Sequence, residues 1–144
     1  VTNDASSPST GFGLVDVTDV TVHLPEPHAT VTLHERDAPF RVFRFPIGIP
    51  EAVALEHARL DEKALRPSTH ELFSEVLTRL RADIVALRIT GRKGTVVIGE
   101  LDLMSPAGLI TMPCRPSDGL ILASRQGVSA PVLVAEALLD EVDE

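Results

Sequence analysis

Two separate stretches of this chain alternate apolar with polar residues, and helical spacing fills the gap between them. "ATVTLHE" (29–35) sets Val31 and Leu33 against threonine and histidine, and "DIVALRIT" (83–90) puts Val85, Leu87 and Ile89 on one face. A period of two is that of a strand with one buried side. Between them, "RPSTHELFSEVLTRL" (66–80) repeats Leu72, Phe73, Val76, Leu77 and Leu80 at the spacing of an amphipathic helix. Strand groups separated by helices, without a strict strand–helix–strand rhythm, point to the α+β class with a mixed or antiparallel sheet.

The remaining segments extend this plan. "LVDVTDVTVHL" (14–24) alternates around one break of phase, as a strand with a bulge does. "PEPH" turns, and "FRVFRF" (40–45) completes a first three-stranded meander. "GIPEAVALEHARL" (48–60) reads as a helix with Pro50 at its first position, Glu51 complementing the positive helix start, and Ala52, Leu55 and Ala58 inward. "DEKAL" (61–65) reads as a linker or short turn. In the next helix Ser68 and Glu71 have the spacing of a capping box. "GRKG" (91–94) reads as the hairpin turn between 83–90 and "TVVIGELDLM" (95–104). "LITMPC" (109–114) ends a second meander, and Pro113, which cannot donate to a ladder, assigns it to an edge. "SDGLILASRQG" (117–127) is a third helix, with Ser117 as cap and Asp118 in the first turn. A short strand, Pro131–Val134, and a fourth helix finish the order βββ-α-α-βββ-α-β-α. Residues 1–13 read as a flexible tail, 14–141 as one compact domain, and 142–144 as an acidic end.

Thirteen Lys and Arg against twenty-one Asp and Glu give a formal charge of −8. That balance disfavours nonspecific binding to phosphate backbones. With five Phe and no Trp or Tyr, the base-stacking platform of a single-strand binder is disfavoured too. The single cysteine, Cys114, excludes an internal disulfide and a multi-cysteine metal site, so a reducing cytoplasm is the simplest expectation. No apolar run reaches the roughly 20 residues of a membrane span. His23, His28, His34, His57 and His70 form no metal-binding helix motif, and no phosphate-cradling glycine loop or G-x-S-x-G elbow occurs.

Arg-Pro-Ser occurs twice, at 66–68 and 115–117, each time before a helix. Proline and serine suit a helix entry. The arginines are not explained by capping. Each either pairs with a first-turn carboxylate or holds a phosphate against the helix start. His70 and Glu71 follow the first copy and Asp118 the second. His70 is either a base or an exposed first-turn histidine, and Glu71 either a ligand or a cap.

"RPSTHELF", "RPSDGLILA" and "PVLVAEALLDE", in that order, with "GIPEAVAL" upstream, resemble the bifunctional nuclease domain family over roughly Val15 to Glu141. The resemblance implies a compact α+β domain that forms homodimers or larger homo-oligomers, and nuclease activity on DNA or RNA. It carries over to Glu51, Arg66, Thr69, His70, Glu71, Arg115, Ser117 and Asp118. There are departures. Glu71 stands where the family has aspartate, and Pro113 where it often has an acid. Gly119 stands where it has alanine, and "FRFPIG" lacks the family's tryptophan and carries Arg44.

On that resemblance the expected function is phosphodiester hydrolysis. His70, Glu71 and Asp118 would be the catalytic residues, with Arg66, Arg115, Thr69 and Ser117 holding substrate. Glu51, Glu71 and Asp118 would be candidate ligands of a divalent Mg²⁺ or Mn²⁺ ion. The alternatives are a noncatalytic homodimeric scaffold and a binder of a small anion.

Overall fold

The computed structural model describes residues 11–62 and 66–141. The expectations for most of the N-terminal tail, for residues 63–65 of the linker and for the acidic end at 142–144 lie outside them. The elements are β1 (Phe12–Val22), β2 (His28–Glu35), β3 (Val42–Gly48), α1 (Ile49–Arg59), α2 (Thr69–Arg79), β4 (Asp83–Lys93), β5 (Val96–Ser105), β6 (Gly108–Cys114), α3 (Pro116–Arg125), β7 (Val132–Ala135) and α4 (Glu136–Leu139). Order and type match the sequence reading, and the fold is α+β.

The two meanders join into one seven-stranded sheet, β3-β2-β1-β7-β4-β5-β6. The joint is β7, which pairs antiparallel with β1 and parallel with β4. Register fixes which residues share a face, because partners across a ladder point the same way. Val17 faces Leu33, which faces Phe43; Val15 faces Val132, which faces Leu87, which faces Leu101. That face is the core, with Val15, Val31, Leu33, Leu87, Ile89 and Leu101 at most 2% exposed. Burying each such side chain stabilises the fold by about 1.5–3 kcal/mol. The other face carries Thr18, Thr30, Thr32, His34 and Arg44.

Helices α1 and α3 cover the apolar face. Ala52, Leu55 and Ala58 are the buried positions of α1, as their spacing requires, and α3 buries seven of its ten residues. The side-chain amide of Gln126 holds the end of α3 against β4. It accepts from the Ile84 N–H (2.6 Å) and donates to the Ile84 carbonyl (3.0 Å), as a neighbouring strand would. No helix among the described residues is long and apolar enough to cross a membrane.

Four local expectations need correction. The break of phase in β1 is a bulge at Val17/Asp19, but β4 has two of its own, at Ile84/Ala86 and Ile89/Gly91. The first turns Ile84 inward and leaves Val85 42% exposed, so Val85, Leu87 and Ile89 do not share a face. The second absorbs Thr90 and pairs Gly91 with Ile98, so the strand runs on to Lys93 and the turn is Gly94–Thr95, with Gly94 at φ 64°. Ser117 is not a cap. Pro116 opens α3, Arg115 occupies the cap position without a side-chain cap bond, and Ser117 is buried in the first turn. Finally, α2 buries none of its residues. Of its apolar stripe only Leu77 packs on the core, while Leu72, Phe73, Val76 and Leu80 are 44–65% exposed.

Candidate functional site at three helix starts

The two Arg-Pro-Ser copies serve helices in different ways. In the first, Ser68 caps α2, accepting from the Glu71 N–H (3.1 Å) while Glu71 Oε1 accepts from the Ser68 N–H (3.0 Å). Arg66 therefore stands two residues before the cap. In the second, the arginine is itself the cap residue. The nearer counterpart of "RPSD" is "GIPE" at 48–51. Each follows the third strand of a meander, each has a proline in the first two helical positions, and each carries its acid at the third, Glu51 and Asp118.

These starts converge. Arg115 Nε donates to Asp118 Oδ2 (2.9 Å) and Nη2 to Oδ1 (3.2 Å). The same Nη2 lies 3.7 Å from Glu51 Oε2, which joins α1 to α3. His70 Nε2 is 2.8 Å from Asp118 Oδ1, which joins α2 to α3. At the opposite end Arg125 Nη1 donates to the Glu62 carbonyl, just past α1, so α1 and α3 run the same way. Three positive helix ends thus meet around one carboxylate, and each helix has an acid in its first turn.

Asp118 is the hub, with 29% of its side chain exposed. Burial alone would raise its pKa. The hydrogen bonds from Arg115 and His70 outweigh burial and hold the carboxyl below the usual range. Asp118 in turn raises the pKa of the Arg115 guanidinium, chiefly through the shared hydrogen bonds. An ionised carboxylate only accepts, so a neutral His70 carries its proton on Nε2 and presents a lone pair at Nδ1. Beside this cluster lies a cleft of about 270 Å³ lined by Glu51, Arg115 and Ser117, the end of β3 and the β4–β5 hairpin tip at Thr95–Val97. His70 and Asp118 do not line it. A larger cavity of about 510 Å³ lies between the far halves of α2 and α3 and is lined by none of the candidate site residues.

Of the residues singled out in sequence, His70, Arg115, Asp118 and Glu51 are therefore brought together. Ser117 is buried beside them, and Thr69 is exposed on the first turn of α2. No hydrogen bond or ion pair joins Arg66, also exposed, to a described residue. Glu71 is occupied by the capping box. Among the described residues no group of three or more His, Cys, Asp or Glu side chains is arranged to hold a metal ion. Glu51 and Asp118 both turn to Arg115, a donor set that fits a guanidinium better than a divalent ion. Sequence reasoning missed the Thr95–Val97 wall, because it ended β4 at residue 90. It missed the role of Gly48 as well. A Cβ there would strike the Glu51 carboxylate, which folds back over the backbone at this point.

Two proteins of Mycobacterium tuberculosis, from strains H37Rv and CDC 1551 / Oshkosh, are each 30% identical to this chain over 142 residues. The match covers 92% of this chain and 82% of theirs, and both are described only as uncharacterized. Residues 31–144 match the bifunctional nuclease domain, and that stretch contains all four converging side chains. The chain belongs to the bifunctional nuclease domain family.

Proposed function

We propose that this protein hydrolyses phosphodiester bonds, with His70 as base and Arg115 as phosphate anchor. The observation that carries this reading is the His70–Asp118 hydrogen bond beside an exposed arginine. Asp118 orients the imidazole. Water attacks phosphorus as Nδ1 of His70 takes its proton, and the bond to the leaving oxygen breaks. Arg115 Nη1 takes no part in the contacts with Asp118 and Glu51 and faces the charge that builds on the phosphoryl oxygens. Arg66 and Thr69, at the start of α2, supply further contacts to the substrate, and Ser117 shapes the wall.

The test is degradation of single- and double-stranded DNA and of RNA by purified protein, with and without Mg²⁺ or Mn²⁺. Cleavage should fall by about 10²-fold or more in His70→Ala. Cleavage at the same rate by the variant, or none by the wild type on any substrate, rejects the proposal.

One observation favours a second reading, a noncatalytic scaffold: Asp118 is fully engaged by Arg115 and His70, as in a staple between helices. In that case Arg115→Ala and Asp118→Ala lower the melting temperature strongly. A site would instead lose activity with little change in melting.

A further inference from the structure

An arginine takes a carboxylate on a fork, the edge shared by Nε and Nη2. Four arginines of this chain fill that edge: Arg36 with Asp16, Arg41 with Glu35, Arg88 with Asp102 and Arg115 with Asp118. Each pair is held by two bonds of 2.6–3.2 Å. Arg125, half-buried at the end of α3, differs. Its Nη1 donates to the Glu62 carbonyl at 3.0 Å, and its fork edge meets nothing. Nε is shielded from water and has no hydrogen-bond partner among the described residues, and Nη2 makes no bond to them either. Buried donors in folded proteins are nearly all paired, so this one calls for an acceptor.

The arginine stands in the wall of the 510 Å³ cavity between the far halves of α2 and α3, a volume suited to a small molecule. The geometry assigns this cavity as a binding site for a small monocarboxylate with an apolar body. The carboxylate sits on the Nε–Nη2 edge of Arg125, and the body lies against Leu77, Ile84, Leu122 and Pro131. One hydrogen bond fixes the guanidinium, so a small rotation of the side chain brings the shielded edge to the ligand. The Ser74 hydroxyl, also in the wall and without a partner among the described residues, donates to a remaining lone pair. The chain supplies no carboxylate of its own here. Ser74, Thr78 and Arg125 also line a second cavity, of about 410 Å³, beside Asp61, Glu71 and Glu75. Glu71 is held in the capping box and Glu75 by Arg79, and neither Asp61 nor Asp83, on the rims, pairs with Arg125. Phosphate fits less well. Arg125 is the one cation in either wall, and the second charge of a dianion would face those acids unpaired. The site stands apart from His70 and Asp118 and does not depend on phosphodiester hydrolysis.

The test is an NMR titration of the full chain with octanoate, octanol and inorganic phosphate as probes, followed through the backbone amide signals. Octanoate should shift the signals of Ser74, Thr78, Arg125 and Gly127 saturably and raise Tm. Octanol and phosphate at the same concentrations should leave both in place. Arg125→Lys keeps the charge but lacks the fork, and its octanoate affinity should fall about 10-fold or more. Ser74→Phe leaves Arg125 unchanged and fills the cavity, so it should lose binding too. Circular dichroism without ligand checks that each variant folds as wild type does. No saturable shift with octanoate, shifts confined to other parts of the surface, or unchanged affinity in Arg125→Lys overturns the inference. Phosphate or octanol binding as tightly as octanoate overturns it as well, since the ligand would then not need both its charge and its apolar body.

Discussion

Gly119→Ala sets two physical effects against each other, and the sign of the outcome decides between them. Gly119 lies in the first half of α3, one residue after Asp118, where alanine is favoured over glycine by about 1 kcal/mol on helix propensity alone. A Cβ at this position would stand 2.5 Å from Leu87 Cδ1, 3.1 Å from Leu87 Cδ2 and 3.2 Å from Cys114 Sγ. Carbon atoms pack best at about 3.5–4.0 Å. The methyl must therefore push Leu87 by about 1 Å. Leu87 is 0% exposed and lies between Leu101 and Val132 across its ladders, so it has nowhere to retreat. Overpacking of this kind costs about 1–3 kcal/mol. The net expectation is a loss of about 1 kcal/mol, or about 4 °C in Tm. In a Leu87→Ala background the methyl has room, and the same substitution should raise stability by about the propensity term. Thermal unfolding of the four proteins reads both numbers. A Gly119→Ala protein that melts higher than wild type, or the same sign in both backgrounds, refutes the argument.

Three further outcomes follow from groups described by their contacts. Glu35, with 6% of its side chain exposed, holds Arg41, which also reaches Glu136 and Asp140 on the C-terminal turn. Arg41→Ala strands that carboxylate and should cost about 3 kcal/mol by chemical denaturation, most of it recovered by adding Glu35→Gln. The pKa values of Glu35, Asp102 and Asp118 are all held below their ordinary range. Arg41 lowers the first and Arg88 the second, while Arg115 and His70 overcome burial at the third. A depressed folded pKa stabilises above the unfolded pKa and is lost as pH falls through the folded one. Melting temperature should therefore hold down to about pH 5 and drop below about pH 4, and a Tm that rises on acidification contradicts this. Burial, with the nearby Asp118 and Glu100 charges, pushes the Cys114 thiol up to about 11. Its reaction with an aromatic disulfide at pH 8 should be slower than that of free cysteine and should quicken steeply toward pH 11.

Local signals in the sequence carried the elements well, because alternation and helical spacing report one-sided burial directly. They fail where one residue changes phase. The bulge at Ile84/Ala86 reverses Val85 without altering the composition of the strand. The ends of α1 and α2, read from the spacing at 60 and 80, fall within one residue of Arg59 and Arg79 although no glycine marks them. Asp61 and Arg81 take the left-handed conformation, φ 56° and 61°, that glycine usually marks. The following N–H groups, of Glu62 and Ala82, bond back to His57 and Leu77 to close each end. The apolar stripe of α2 was legible, but its direction was not, since spacing gives a face and not what the face meets. In the site, the acids and arginines could be nominated by residue type. That Arg115 caps its helix while Arg66 stands outside its own depends on where each helix begins, and the repeated tripeptide conceals that difference.

The position of β7 bears on the order of events when the chain is made. The middle strand of the sheet is the last to be written. Until Val132–Ala135 leaves the ribosome, β1 and β4 can each complete a meander on one side, but each leaves its inner edge without a partner. Two half-sheets with open apolar edges are what a nascent chain presents, and such edges recruit other chains. Only one four-residue strand closes both. A truncation at 131 would therefore remove far more than its length suggests: it would take away the seam between two otherwise complete halves, and with it the register that brings α1 and α3 together.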